Sequence, residues 1–310
     1  MNKTSLREFL QRYGLAISFL ILCLVLSLLS DRFLTIGNLT NVLRQSTINL
    51  IIAIGMTYVI LTAGIDLSVG AVLALSTVVT ADLLQRGVPV IPTVLIGLLL
   101  GGVLGLSNGL LISRIKVPPF VATLGMMTVA RGLALTYTQG RPITGLPDLF
   151  RSIGTGYLGP IPMPIIIAGI TFLGGYILLT RTRMGVYIYA LGNNPVAAHY
   201  TGIATSNYLT FVYVLAGSLA ALAGMILVAR LDSAQPTAGI SFEFDAIAAV
   251  VVGGTSFAGG EGSLIGTLLG VLVISVLNNG LNLLNVSSFY QPVVTGVVIA
   301  LALLLYKAIR

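Results

Sequence analysis

Between two long apolar blocks the chain reads Arg181-Thr-Arg-Met-Gly-Val-Tyr-Ile-Tyr-Ala-Leu-Gly-Asn-Asn-Pro-Val-Ala-Ala-His-Tyr-Thr-Gly-Ile203. The second half of this stretch predicts a helix of about two turns, because Asn194 is a favourable N-cap, Pro195 suits the first helical position and Gly202 stands where a helix would stop. The strong helix formers between them are Ala197 and Ala198. So short a helix is marginal in water by itself and needs the neighbouring membrane blocks to pack against. We interpret it as a rigid knob on the cytosolic face that a soluble partner grips; an ordinary loop with one helical turn is the alternative.

The composition of the whole chain predicts a membrane protein. Of its 310 residues, 56% are hydrophobic and only 8% are charged, whereas soluble domains carry about 25% charged residues. Apolar runs close to the length that crosses about 30 Å of hydrocarbon recur along the chain. The short segments of alternating polarity that form a membrane β-barrel are missing from the sequence. We therefore expect an all-α, polytopic membrane protein with a single transmembrane domain over residues 1–310.

Hydropathy places about ten spans, with both termini on the same side of the membrane. The predicted spans lie at about 14–30, 47–63, 68–84, 93–113, 118–138, 161–180, 207–229, 246–252, 263–284 and 291–306. The segment at 246–252 is too short to cross alone and runs into the glycine cluster 253–262. We expect a broken or re-entrant segment over 246–262, which a membrane protein tolerates where other parts of the protein cover the backbone.

The distribution of charge supports this arrangement. The net charge of the chain is +7; the segments on the side of the termini carry +6, the segments on the opposite side carry 0, and Arg131 within the fifth span supplies the remainder. An excess of Lys and Arg marks the cytoplasmic side of a membrane protein. The rule places the termini and the polar segment 181–206, which contains the knob, in the cytosol.

Several functions are excluded by the residues that the sequence lacks. Lysine occurs only at positions 3, 116 and 307, never after glycine, so no nucleotide-binding loop of the G-x-x-x-x-G-K-[ST] type can be written. The single cysteine, Cys23, and the single histidine, His199, provide neither a metal cluster nor a catalytic triad. We interpret His199 as a solvated or docking-face residue. No basic run with interleaved aromatic residues indicates nucleic-acid binding.

A conspicuous polar residue lies in the motif Gly64-Ile-Asp-Leu-Ser-Val-Gly70. A carboxylate at membrane depth is costly, so Asp66 is a functional candidate. It also precedes the third apolar run, where it could cap the helix that begins near Ser68. Helix capping and a role in gating or in the path both stay open. Arg131 could pair with Asp66 or extend to the membrane interface.

Two further polar groups interrupt apolar segments. Thr255 and Ser256 lie in the glycine cluster, which we interpret as a flexible break between half-helices rather than a phosphate-binding loop. Asn278, Asn279 and Asn282 lie in the ninth span, with Asn278 and Asn282 on one helix face. Amides in a span either hold helices together or line a wet path. Both alternatives remain open for these five residues.

Six motifs together resemble a known family. They are 53–61, 64–70, 187–203, 229–239, 245–256 and 278–284. In this order they resemble the permease subunits of bacterial ATP-binding-cassette sugar importers, and within these the ribose branch. The first three motifs are typical of sugar permeases in general, and the last three are closer to those of ribose permeases.

The resemblance implies a homodimer in the bacterial cytoplasmic membrane. It also implies a cytosolic tandem-cassette ATPase that binds ATP and Mg²⁺, and a periplasmic or lipid-anchored sugar-binding protein, so this chain would need no cofactor and would not be an enzyme. The helix around Asn194–Gly202 would be the coupling helix. Ribose is the first candidate cargo, and another pentose, a hexose or an autoinducer-type sugar is the alternative. An ion-coupled secondary transporter and a passive channel or scaffold are the rival classes.

Overall fold

The computed structural model describes residues 3–287, 290, 293–294 and 296–297. Within them the chain is built from helices and four two-residue strands. The helices are α1 Lys3–Leu29, α2 Ile36–Leu61, α3 Val69–Gln85, α4 Val90–Ser113, α5 Pro119–Thr138, α6 Asp148–Thr155, α7 Met163–Arg181, α8 Arg183–Asn193, α9 Pro195–Tyr200, α10 Thr205–Leu231, α11 Phe242–Val252 and α12 Leu264–Leu283. The strands are β1 Ile143–Thr144, β2 Tyr157–Leu158, β3 Ile161–Pro162 and β4 Ser233–Ala234, which form the antiparallel pairs β1–β4 and β2–β3.

Six of the described helices are long and apolar enough to cross a membrane, namely α2, α4, α5, α7, α10 and α12. Two shorter apolar helices, Gly14–Leu29 within α1 and Val69–Gln85, accompany them. An all-α, polytopic membrane protein is therefore confirmed. The predicted span at 291–306 lies largely outside the described residues, so the count of ten stays a prediction.

Two helices form the centre of the bundle. In the most apolar window, 78% of α2 and 67% of α10 are buried within the chain, against 22% of α4 and α5 and 17% of α7. The peripheral helices thus keep most of their apolar surface for lipid or for another subunit. The buried core of α2 includes Ile51, Tyr58 and Leu61, and that of α10 includes Tyr213 and Ile226.

Close packing of α4 against α10 depends on a stripe of glycines. Gly97, Gly101, Gly105 and Gly109 recur every fourth residue and therefore lie on one helix face. A Cβ at Gly101 would overlap the carbonyl oxygen of Gly217, and a Cβ at Gly105 would overlap the carbonyl oxygen of Tyr213. Small residues let membrane helices approach until their backbones touch.

The polar segments gather at two opposite ends of the bundle. At one end, the N–H of Gly260 donates to the Leu61 carbonyl at 2.9 Å. At the same end, Nη2 of Arg114 donates to Oδ1 of Asn207 at 2.8 Å. At the other end, the N–H of Leu146 donates to Oδ1 of Asp232 at 2.8 Å, and β1 pairs with β4. We call the first the knob end and the second the far end. The segments that hydropathy assigned to one side of the membrane do come together.

Two boundaries differ from the sequence prediction. Helix α2 begins at Ile36, not near residue 47, because polar residues in its first turns find partners, as Asn38 does with Asn279. The connection left between the predicted spans 118–138 and 161–180 contains α6 and most of the β2–β3 hairpin. Hydropathy alone therefore predicted too little regular secondary structure in both segments.

Candidate functional site

The predicted knob helix is present as α9. Oδ1 of Asn194 accepts a hydrogen bond from the N–H of Ala197 at 2.9 Å, and Pro195 occupies the first turn. At the other end Gly202 has φ of +84°, a conformation that favours glycine, and the N–H of Ile203 donates to the carbonyl of Ala198 at 3.2 Å. Both ends of α9 are therefore capped by the residues that the sequence indicated.

The outward face of α9 carries its larger apolar side chains. Ala198 is only 4% exposed and packs inward, whereas Val196 is 63% and Tyr200 is 85% exposed. His199 is also exposed. The outward apolar pair at i, i+4 was the signal that the sequence analysis missed, and we name Val196 and Tyr200 the knob face.

Helix α8 connects the knob to the interior of the bundle. Gly192 packs so closely that a Cβ there would overlap the Leu61 carbonyl oxygen and the N–H of Gly260. Nδ2 of Asn193 donates to the Gly260 carbonyl at 3.3 Å, and the hydroxyl of Tyr189 donates to the Gly262 carbonyl at 2.8 Å. The segment that carries the knob is thus in direct contact with the end of α2 and with the glycine cluster.

The glycine cluster is the predicted break. Helix α11 ends at Val252 and α12 begins at Leu264, and between them Gly254, Gly259 and Gly260 have positive φ. The broken segment is confirmed within the described residues. At its N-terminal edge Gly253 packs on the backbone of Gly266, which holds the short helix α11 against the start of α12 at the break.

Thr255 and Ser256 lie inside this loop. They are 2% and 3% exposed. The Ser256 N–H donates to the Glu261 carbonyl at 2.9 Å, and Oγ of Ser256 accepts from the N–H of Ala258 at 3.3 Å. These contacts give Ser256 a part in holding the loop closed. Oγ1 of Thr255 is buried with no hydrogen-bond partner.

Asp66 lies in a buried polar cluster between α2 and α3. It is 1% exposed, and its Oδ1 accepts from the N–H of Ser68 at 2.8 Å and from Oγ of Ser68 at 2.6 Å. Nδ2 of Asn108 on α4 donates to Oγ of Ser68 at 2.9 Å. The assigned N-cap of α3 is Ser68, so Asp66 acts two residues earlier, by fixing the turn that leads into the helix.

The glycines of the same motif mark close contacts. A Cβ at Gly64 would lie 2.5 Å from the hydroxyl oxygen of Tyr213, and one at Gly70 would overlap the Gly239 carbonyl oxygen. Arg131 is directed elsewhere: its Nη1 donates to the carbonyls of Pro236 and Ala238, each at 2.7 Å. The suggested pairing of Arg131 with Asp66 is therefore not what the structure shows.

The three asparagines of α12 separate into different environments. Asn279 exchanges two side-chain hydrogen bonds with Asn38 on α2, at 2.9 and 3.0 Å. Asn278 is half-buried and its Oδ1 has no partner, and Asn282 is exposed. Asn279 therefore joins α12 to α2, whereas the side-chain oxygen of Asn278 accepts no hydrogen bond.

The predicted site residues therefore fall into two groups. The knob, the glycine cluster and the end of α2 are brought together at the knob end by α8. The asparagines lie in the last third of α12, away from its start at Leu264 beside the glycine cluster. Among the described residues, no group of three or more His, Cys, Asp or Glu side chains could hold a metal ion.

A bundle of apolar helices around a broken segment, with a capped helix exposed at one end, defines a multi-pass membrane protein. Residues 38–304 match the family of branched-chain amino acid transport system / permease components, and the chain belongs to this family. It is 47% identical to the ribose import permease protein of Haemophilus influenzae, over 98% of this chain and 96% of that one. It is 52% identical to the ribose import permease protein of Bacillus subtilis, over 96% and 92%.

More distant relatives are permeases named for other sugars. The D-allose transport system permease protein of Escherichia coli is 40% identical, over 97% of this chain and 93% of the relative. The galactose/methyl galactoside import permease protein of the same species is 35% identical, over 98% and 96%. No solved structure matched the chain.

Proposed function

We propose that this chain is the membrane-spanning subunit of an ATP-powered importer that moves a monosaccharide, ribose first, across the bacterial cytoplasmic membrane. The observation that carries the choice of sugar is full-length identity. It is 47–52% with ribose permeases of two species, against 40% with the allose permease and 35% with the galactose permease.

The energy would come from a separate ATPase, because the sequence contains no nucleotide-binding loop of its own. The knob is the surface suited to such a partner. It is a short helix with both ends capped, and it exposes Val196 and Tyr200 on a segment that the charge distribution assigns to the cytosol. Exposed apolar side chains on a protruding helix fit a groove on a partner.

Transport would then work by alternating access. Closure of the ATPase displaces the knob, and α8 passes the displacement to the glycine cluster and the end of α2 through Gly192 and Asn193. Because α2 is the most buried long helix, its movement would reach α10, α11 and α12 together. A second copy of the chain would cover part of the apolar surface left on the peripheral helices. A sugar-binding protein would dock at the far end.

The experiment is uptake of labelled ribose by cells that carry the chain, its ATPase and its binding protein. We expect uptake to require the ATPase, and unlabelled ribose to compete better than allose or galactose. Stronger competition by allose or galactose would reassign the cargo. Uptake that persists without the ATPase and follows an ion gradient would favour a secondary transporter instead.

A further inference from the structure

A second recognition feature lies beside the knob. A cavity of about 390 Å³ opens between the α4–α5 connection, the end of α9 and the start of α10. Its walls include Arg114, His199, Ser206 and Asn207. Three of these four side chains, those of Arg114, His199 and Asn207, bear nitrogen donors, and none of the four is acidic.

The guanidinium of Arg114 is held in place at this cavity. Its Nη2 donates to Oδ1 of Asn207 at 2.8 Å, which uses one donor and leaves the rest of a planar fork free. Arg114 itself is exposed. A fixed guanidinium with unused donors is the group that recognises a carboxylate most specifically.

The start of α10 adds to the same polarity. The N–H groups of Thr205 and Asn207 donate to the carbonyls of Ile203 and Ala204, at 2.8 and 2.9 Å. The first turn of this 27-residue helix therefore contributes the positive end of its dipole next to Arg114 rather than free donors. The accessible donors at this cavity belong to the guanidinium of Arg114.

The surrounding charges also favour an acidic partner. The described side chains at the knob end that carry a formal charge at neutral pH are Arg114, Lys116, Arg181, Arg183, Asp66 and Glu261. Of the two acids, Asp66 is buried and engaged with Ser68. The exposed charge around the knob is therefore mainly positive, complementary to a negative surface.

We propose that this cavity receives an acidic side chain of the cytosolic ATPase, beside the groove that grips the knob face. The inference rests on the proposed function, and it adds Arg114 as an interaction residue that lies outside the polar segment 181–206. The knob face supplies the apolar contact, and Arg114 fixes its orientation through a charged hydrogen bond. Asn207 is a positioning residue that aims the guanidinium.

The test measures association of the purified chain with its ATPase in zwitterionic nanodiscs at increasing salt. Arg114→Gln should weaken association about tenfold or more at low salt and should flatten its salt dependence. Arg114→Lys should lose less, because it keeps the charge without the fork. Asn207→Ala should cause a smaller loss at an unchanged charge.

Lys116→Gln is the matched control, because Lys116 lies on the same connection, carries the same charge and does not line the cavity. Its affinity should fall much less than that of Arg114→Gln, because only long-range, salt-screened attraction is lost. Equal behaviour of Arg114→Gln and Lys116→Gln would overturn the inference. So would an Arg114→Gln effect that appears only when anionic lipid is added, since the cavity would then hold a lipid headgroup.

Two further measurements distinguish a folding defect, a failure of the proposed function and a failure of the cavity proposal. Thermal melting and gel filtration of each variant must match the native chain, and an Arg114→Gln protein that melts lower would be replaced by Arg114→Lys as the deciding variant. Native protein that fails to bind the ATPase at all would contradict the proposed function. Native binding with unchanged Arg114 variants would contradict only the role of the cavity.

Discussion

The backbone N–H of Gly260 donates to the carbonyl oxygen of Leu61 at 2.9 Å. This hydrogen bond joins the loop between helices α11 and α12 to the end of the central helix α2. Gly192 packs on the same two groups. In the proposed mechanism, a displacement of the knob would reach the broken segment and the core helix through this junction.

Substitution at this junction should separate transport from assembly. In Gly192→Ala, the added Cβ overlaps backbone atoms that cannot rotate away, and we expect a loss of about 1–3 kcal/mol in stability. Uptake should fall far more than that loss explains, because α8 can no longer close on the loop. Thermal melting and sugar uptake are the two measurements.

The control for Gly192→Ala is Gly174→Ala on α7, where a Cβ meets nothing within 4 Å. This variant should melt at or slightly above the native temperature, since alanine favours a helix by about 0.5–1 kcal/mol over glycine. Its uptake should be native. If both variants transport normally, the junction does not carry the motion.

The knob face gives the second prediction. Val196→Asp or Tyr200→Asp places a carboxylate on an exposed face, so the protein should insert and melt normally but lose association with the ATPase and uptake. Ala198→Asp is a poorer probe, because Ala198 is only 4% exposed and a buried carboxylate would disturb α9 itself.

Leu149→Asp at the far end is the matched control for the knob face, since Leu149 is 67% exposed on α6. It should leave association with the ATPase unchanged. Pull-down from membranes with the tagged ATPase reads out both substitutions. Normal association of the Val196 and Tyr200 variants would remove α9 as the docking surface.

The glycine stripe of α4 gives a prediction on stability. Gly105→Ala forces α4 away from the Tyr213 carbonyl and should lower stability by about 1–3 kcal/mol. Gly125→Ala on α5, where a Cβ meets nothing within 4 Å, should not. Unfolding in detergent measures both, and equal melting would mean that the close α4–α10 contact is not maintained.

The reciprocal asparagine pair gives the fourth prediction. Asn279→Leu leaves the amide of Asn38 without its partner, and a double-mutant cycle with Asn38→Leu should show a coupling of about 0.6–1.7 kcal/mol. The apparent affinity for sugar should stay native, because the pair joins α2 to α12. A changed sugar KM with no coupling energy would instead place Asn279 on the path. Asn278→Leu, which removes an unpartnered acceptor, is the variant expected to change uptake at native stability.

Local chemistry made part of this architecture predictable. Asn194, Pro195 and Gly202 predicted α9 because capping depends on the residues at the helix ends alone. The break near 253–262 was predictable because a short apolar run beside clustered glycines cannot cross a membrane as a helix. The approximate positions of the apolar spans followed from hydropathy, because a helix that crosses the hydrocarbon needs about 20 mostly apolar residues.

Features that depend on tertiary contacts were not predictable. The long α2 needs Asn279 to satisfy Asn38, and the inward orientation of Ala198 needs the surface on which α9 packs. Arg131 turned to the carbonyls of Pro236 and Ala238, a pairing over a hundred residues along the chain that no local pattern encodes. The cavity at Arg114 likewise needs Asn207 from another helix.

The most direct test of the account is reconstitution of the chain in proteoliposomes with its ATPase and sugar-binding protein. The account predicts that labelled ribose accumulates against its gradient only when ATP and both companions are present, and that Gly192→Ala abolishes accumulation while Gly174→Ala does not. Accumulation by the chain alone, driven by an ion gradient, would contradict it.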